Sequence, residues 1–248
     1  MKNILYIVAC ILLMAGCSKS DTGLNNSNGN GGTGQGGSLA RFTLSHNHLY
    51  VVDNHKLYTY SLANVQQPRL VNEKEIGMDV ETIYPFKDKL FIGSQNAMYI
   101  YSLENPGKPD YIGTATHVRA CDPVVADNDV AYVTVRSGSS CGGTINALIV
   151  YNIQNEIHPI EVARREMNNP WGLGIRSNRL YVCDGNAGLS IFDITNLYNP
   201  KLIKKITGAS FFDVIATDNL LVCMIDGGTA LYEYGANDEL IQVAKIMD

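Results

Sequence analysis

Seven residues of this chain have the types and placing that chemistry needs: the acids Glu81, Asp122 and Asp213, the cations Arg41, Arg119 and Arg136, and the only tryptophan, Trp171. Two carboxylates held across a cavity act as paired acid and base in glycoside cleavage, which makes Glu81 with Asp122 or Asp213 the pair for a hydrolase or lyase. A tryptophan exposed beside arginine and aspartate suits recognition of a sugar ring or a partner's side chain instead. In "NNPWGLGI" the indole can equally pack beneath a loop. The spacing Gly-x-Ser-x-Gly falls once, at Gly138, Ser140 and Gly142 in a Ser/Gly tract that no helix follows, so it makes no nucleophile elbow, and no His-Glu-x-x-His pair occurs. His46, His48, His55, His117 and His158 are scattered or sit in a turn, and the Ser/Gly tract "RSGSSCGG" lacks the Gly-Lys-Ser/Thr ending of a phosphate loop. The sequence therefore asks for no metal and no cofactor.

The elements that must position these residues show as a repeat. "HLYVVDN", "KLFIGSQ", "VAYVTVR", "RLYVCDG" and "LLVCMID" recur around Tyr50, Phe91, Tyr132, Tyr181 and Val222, at spacings of 41, 41, 49 and 41. Each is followed by a second apolar run ("KLYTYSL", "AMYIYSL", "ALIVYNI", "GLSIFDI", "ALYEYGA"), and four of these by a proline in step: Pro68, Pro109, Pro159 and Pro200. One more run precedes each anchor and another follows each proline, so every unit reads as four short strands. β-Branched and aromatic residues dominate, and from Leu39 onward no helical stripe is sustained. Asp53, Asp184 and Asp226 close second strands, where an aspartate caps the following turn.

Units of 41 residues with four strands predict an all-β fold, a β-propeller of about five four-stranded blades over 39–248. Each blade is expected to bury both faces on its neighbours, which accounts for runs such as "LYVV" and "LIVY" that do not alternate. The string "LYVCDGNAGLSIFDITNLYNPKLI", Leu180 to Ile203, resembles the LVIVD repeat of bacterial and archaeal surface proteins, with weaker copies from Leu39 to Asp248. "CDPVVADNDVAYVTVRSGSSCGGTINALIVYNI" is similar to a segment of LVIVD-repeat lipoproteins of Bacteroidetes-type bacteria. The resemblance implies a propeller held outside the cytoplasm.

The third unit is longer by about eight residues between "AYVTV" and "ALIVYNI". Its tract makes neither helix nor strand readily, so it lengthens a hairpin loop that projects from one face. Cys141 lies in that tip and Cys121 precedes the first strand of the same unit, at the same end of the sheet. A Cys121–Cys141 disulfide would close a loop of about 20 residues and contribute roughly 3 kcal/mol in the chain-entropy model. Cys183 and Cys223 lie inside second strands, where core packing explains them.

The N-terminus reads as "MKNILYIVACILLMAGC": a lysine, an apolar run too short to cross a bilayer, and small residues before Cys17. Residues 1–16 are read as a lipoprotein signal peptide, Cys17 as the lipidated residue and 17–38 as a Gly/Ser/Asn tether too polar to fold. Ser18 after Cys17 points to the outer membrane. The formal charge is −5, and without a basic stripe nucleic acid is a poor ligand. These readings combine into a non-enzymatic envelope lipoprotein that binds a protein partner or a glycan through one propeller face, with Arg119, Asp122, Arg136, Trp171, Glu81 and Asp213 as the contact residues. The alternatives are a hydrolase or lyase using Glu81, Asp122 and Asp213, and a purely structural envelope component.

Overall fold

The computed structural model describes residues 37–77, 79–116, 123–138 and 143–247. Within them, five antiparallel sheets are each built from four strands consecutive in sequence. Blade one holds β1 (Phe42–Ser45), β2 (His48–Val52), β3 (Lys56–Ser61) and β4 (Arg69–Glu75); blade two holds β5 (Val80–Phe86), β6 (Lys89–Ser94), β7 (Ala97–Ser102) and β8 (Asp110–Thr116). Blade three holds β9 (Val124–Asp127), β10 (Val130–Val135), β11 (Ala147–Asn152) and β12 (Ile160–Glu166); blade four holds β13 (Leu173–Arg176), β14 (Arg179–Cys183), β15 (Leu189–Asp193) and β16 (Lys201–Ile206). Blade five holds β17 (Phe211–Ala216), β18 (Leu220–Ile225), β19 (Gly228–Tyr234) and β20 (Leu240–Met247). This is the all-β propeller that the repeat predicts. The first strands contact one another from blade to blade, β1 with β5, β5 with β9, β9 with β13 and β13 with β17, and so stand innermost.

Local sequence explains the blade. In blades one, three and four the turn into the fourth strand begins on Asn64, Asn155 or Asn196, whose side-chain oxygen accepts the N–H two residues on, and Pro68, Pro109, Pro159 and Pro200 end this turn in blades one to four. In blade five, where the proline is missing, a 3-10 turn over Ala236–Asp238 does the same work with Asn237 at φ 54°. Every pairing of third with fourth strand slips register just before an aromatic: Tyr60, Tyr101, Tyr151, Phe192 and Tyr232. A bulge there adds twist, which lets a flat hairpin become a blade.

Packing follows the strand period of two. On the second strands of blades one to four the central aromatic faces the following blade: Tyr50, Phe91, Tyr132 and Tyr181 are all buried. Its two neighbours face the preceding blade, so Leu90 and Ile92 pack on blade one, Ala131 and Val133 on blade two, Leu180 and Val182 on blade three, and Leu221 and Cys223 on blade four. The Tyr50 hydroxyl donates to the Pro106 carbonyl at 2.8 Å and the Tyr132 hydroxyl to the Leu197 carbonyl at 2.8 Å. Each bond ties a blade to a turn of the next. Tyr132→Phe removes one of them and should cost about 1 kcal/mol in urea denaturation; an unchanged midpoint would mean that water replaces the carbonyl without loss.

The expectation that every blade buries both faces holds for blades two, three and four only. The forward face of blade five, with half-buried Val222 and Met224 at 47% exposure, has no apolar cluster against it among the described residues. Nor has the rear face of blade one, where Leu49 and Val51 are half-buried and Phe42 is 61% exposed. Among the described residues blade five does not pack on blade one, and the five blades form an arc with an open sector.

Candidate functional site

Ala40, Glu81, Asp122, Trp171 and Phe212 hold one position of the repeat, separated by 41, 41, 49 and 41 residues, and among the described ones Glu81, Trp171 and Phe212 stand at the mouth where the inner strands begin. In β5 and β17 this residue sits at a register shift, Glu81 between Val80 and Thr82 and Phe212 between Phe211 and Asp213. A bulge interrupts the ladder at the extra residue and re-aims its side chain. Phe212 is the member that reasoning from residue type missed, and the spacing from Trp171 was the signal that could have found it.

Around the mouth the described side chains converge. The Arg136 guanidinium, immediately after β10, lies 3.5 Å from the centre of the Trp171 ring. Phe212 meets that ring edge-on, with centroids 5.1 Å apart and planes at 79°. Both geometries are favourable for a cation and a pair of aromatic quadrupoles. Glu81 is half-buried near the charges of Arg41 and Arg136 and bonds Gln95; burial raises its carboxyl above the usual range, and the two arginines pull the other way. Burial likewise lowers the Arg136 guanidinium, opposed by Glu81.

The backbone beneath this cluster is well held. The Trp171 N–H donates to the Cys183 carbonyl at 2.7 Å, and its own carbonyl accepts from the Thr134 hydroxyl at 2.6 Å. Asp184, 1% exposed, accepts the backbone N–H groups of Asn168 and Asn169 at 3.0 and 2.8 Å and the Lys205 ammonium at 3.1 Å. Its side chain thus fixes the segment leading to Trp171, whereas Asp53 caps its own turn on His55 and Lys56 as expected. The base of the insert is tied in as well: Asn146 accepts the Ser137 N–H at 2.7 Å and donates to the Asn168 carbonyl at 2.7 Å. Arg136 and Trp171 are therefore positioned by one connected set of hydrogen bonds.

Asp213 lies elsewhere. One residue past Phe212 on β17, it turns into the protein, against the leader Gly37–Ala40. The Ser38 hydroxyl donates to Asp213 Oδ1 at 3.5 Å and accepts the Leu173 N–H at 2.7 Å, while the Ala40 carbonyl accepts the Ile83 N–H at 2.9 Å. A Cβ on Gly37 or Gly172 would sit about 2 Å from the Asp213 carboxylate oxygens, so glycine is needed on both sides of it. Burial pushes this carboxyl up to about 6, against hydrogen bonds from Val214, Ser38 and Leu39 that lower it. The carboxylate is spent on anchoring the leader.

Arg119, Cys121, Asp122, Cys141 and Cys17 lie outside the described residues. Cys183 and Cys223 are free thiols in the core between blades four and five, and burial raises both, Cys223 to about 12. Among the described residues no three His, Cys, Asp or Glu side chains converge as metal ligands.

No family model and no curated protein matches the chain. Solved structures do. A functionally unknown protein from Desulfotomaculum acetoxidans DSM 771 shares 12% identity at a TM-score of 0.69, over 84% of this chain and 69% of that one. The periplasmic gluconolactonase PpgL of Pseudomonas aeruginosa shares 11% at 0.62, over 81% and 69%, and apo AztD from Citrobacter koseri 11% at 0.60, over 82% and 61%. These likenesses show the fold alone.

Proposed function

We propose that this chain is a recognition module of the cell envelope, anchored through an acylated Cys17 on the outer membrane, that binds a protein partner at the propeller mouth. One observation carries the reading: Arg136 lies over the Trp171 ring and Phe212 meets that ring edge-on, beside the half-buried Glu81, on a backbone fixed by Asp184 and Asn146. Aromatic and arginine anchors set in a rigid, partly desolvated site are the usual energetic centre of a protein interface. A sugar ring, the other ligand the sequence allows, would have to displace Arg136 to stack on that face of the indole. The fold does not decide between binding and catalysis, since a gluconolactonase has the same architecture. Here Asp213, one of the acids a hydrolase would use, is committed to Ser38.

The test is recovery of partners from crosslinked intact cells of the native host. Arg136→Ala and Glu81→Lys should each lower recovery of one protein at least tenfold while leaving the melting temperature of the purified chain within a few degrees. Recovery unaffected by both variants would sink the reading, and sugar-specific retention on a glycan array that is lost in Trp171→Ala would replace it with a glycan ligand. The anchor is checked separately: Cys17→Ser should abolish palmitate labelling and move the protein from the membrane to the soluble fraction.

A further inference from the structure

The backbone beneath the two mouth aromatics takes a tie from outside their own blades. The Trp171 N–H donates to the Cys183 carbonyl within blade four, and the Gly172 N–H donates to the Phe212 carbonyl of blade five at 2.9 Å. The next N–H, that of Leu173, donates to the Ser38 hydroxyl of the leader at 2.7 Å. Leu173 is fully buried and Ser38 is 1% exposed. Water therefore cannot replace the hydroxyl unless the segment opens, and a buried N–H left without an acceptor is costly.

The same hydroxyl donates to Asp213, whose carboxylate is enclosed between Gly37 on the leader and Gly172. Trp171 directly precedes Gly172 and Phe212 directly precedes Asp213, so the leader is seated on the roots of both rings. Its other end is fixed as well. The Ala40 N–H closes a turn on the Gly37 carbonyl at 3.0 Å, the Ala40 carbonyl accepts from Ile83 of blade two, and the Arg41 carbonyl accepts from Val52 of blade one at 2.8 Å. Gly37 to Arg41 thus reach four of the five blades. A connection that had only to enter β1 would need no buried seat on blades four and five. In chain order this segment stands between Cys17 and the first blade.

We infer that the leader is a strap that holds Trp171 and Phe212 in their edge-on arrangement under Arg136, with Ser38 as the positioning residue. The inference rests on the reading of the mouth as a recognition site and adds what controls it: the site binds only while the leader is seated. Unseating leaves the Leu173 N–H and the Asp213 carboxylate without their shared partner. The starts of β13 and β17 then loosen against each other, and the indole loses its fixed place between Arg136 and Phe212. The segment that leads from the anchor is in this way part of the support of the binding site.

Trp171 is the only tryptophan, so the tryptophan emission of the purified chain reports the mouth alone. Ser38→Ala should raise its acrylamide quenching constant about twofold and move the emission to longer wavelength, with the far-UV circular dichroism unchanged. Gly37→Ala removes no hydrogen bond but sets a methyl against the Asp213 carboxylate, which Gly172 blocks from behind, so it displaces the leader and should give the same response. Tyr132→Phe, which also deletes a bond between blades, should leave Trp171 as it is. In crosslinked cells Ser38→Ala should lower partner recovery about tenfold, as Arg136→Ala does. Unchanged quenching in folded Ser38→Ala and Gly37→Ala, an equal rise in Tyr132→Phe, or recovery lost in Arg136→Ala but kept in Ser38→Ala would each overturn the inference. Recovery kept in Arg136→Ala as well would count against the protein-partner reading alone, and the quenching would still decide whether the leader holds the mouth.

Discussion

Leu90→Ala, Leu180→Ala and Leu221→Ala should each destabilise the protein by about 2–5 kcal/mol, and Leu49→Ala by about 1 kcal/mol or less. The four leucines occupy one position of the repeat, on the rear face of the second strand, and differ only in what lies behind that face. Leu90, Leu180 and Leu221 have no exposure because blades one, three and four cover them. Leu49 is half-buried, and among the described residues no blade lies behind it. Truncating a covered leucine loses both its transfer free energy and the contacts around the cavity it leaves, whereas truncating an uncovered one returns little apolar surface to water. Chemical denaturation of the purified chain, followed by far-UV circular dichroism, gives the four values. If Leu49→Ala costs as much as Leu180→Ala, the rear face of blade one is covered in the isolated protein and the sector is closed.

Asp213 should make the protein lose stability as pH rises from about 4 to about 6. Its carboxyl titrates near 6 in the folded chain because burial disfavours the charged form, and near 3.9 unfolded. Across that window the folded state holds a proton the unfolded state has released, so stability falls with pH. The contribution is complete below the unfolded value and gone above the folded one. A difference of about two pH units corresponds to on the order of 3 kcal/mol. The nearby thiols of Cys183 and Cys223 are raised by burial and stay neutral throughout. Asp213→Asn keeps the shape without the titration, so its stability should run flatter than wild type between pH 4 and 6.5, whatever it loses from the Ser38 and backbone hydrogen bonds. Parallel pH profiles of the two proteins would mean that Asp213 is ionised in the folded state and that the leader is held by other groups.

Residue type alone was a poor guide to the mouth. It selected Asp213 as an acid beside the axis, yet on an inner strand a shift of one residue reverses the direction of a side chain, and the mouth belongs to Phe212. Trp171 was readable as a site residue or as loop packing, and it serves as both. Its backbone is clamped by Thr134 and Cys183 while its ring carries Arg136. Arg136 was legible only as a charge near the insert, because its partner lies in the next blade. Asp184 looked like a turn cap equivalent to Asp53 and instead reaches back to Asn168 and Asn169, since its own turn is closed by backbone bonds between Asp184 and Gly188.

The sequence by itself determined the blades: their number, their four strands, their order and the equivalence of positions one period apart. Each blade is a run of hairpins whose strands pair with chain neighbours, so turn residues and alternation at short range are enough to specify it. Only the tertiary structure decided which apolar faces are covered. "LLVCMI" in β18 is as hydrophobic as "RLYVC" in β14, yet Met224 is exposed and Cys183 is buried. The difference is the presence of a following blade, and that depends on the angle between blades and on how far the arc turns, which no local pattern encodes.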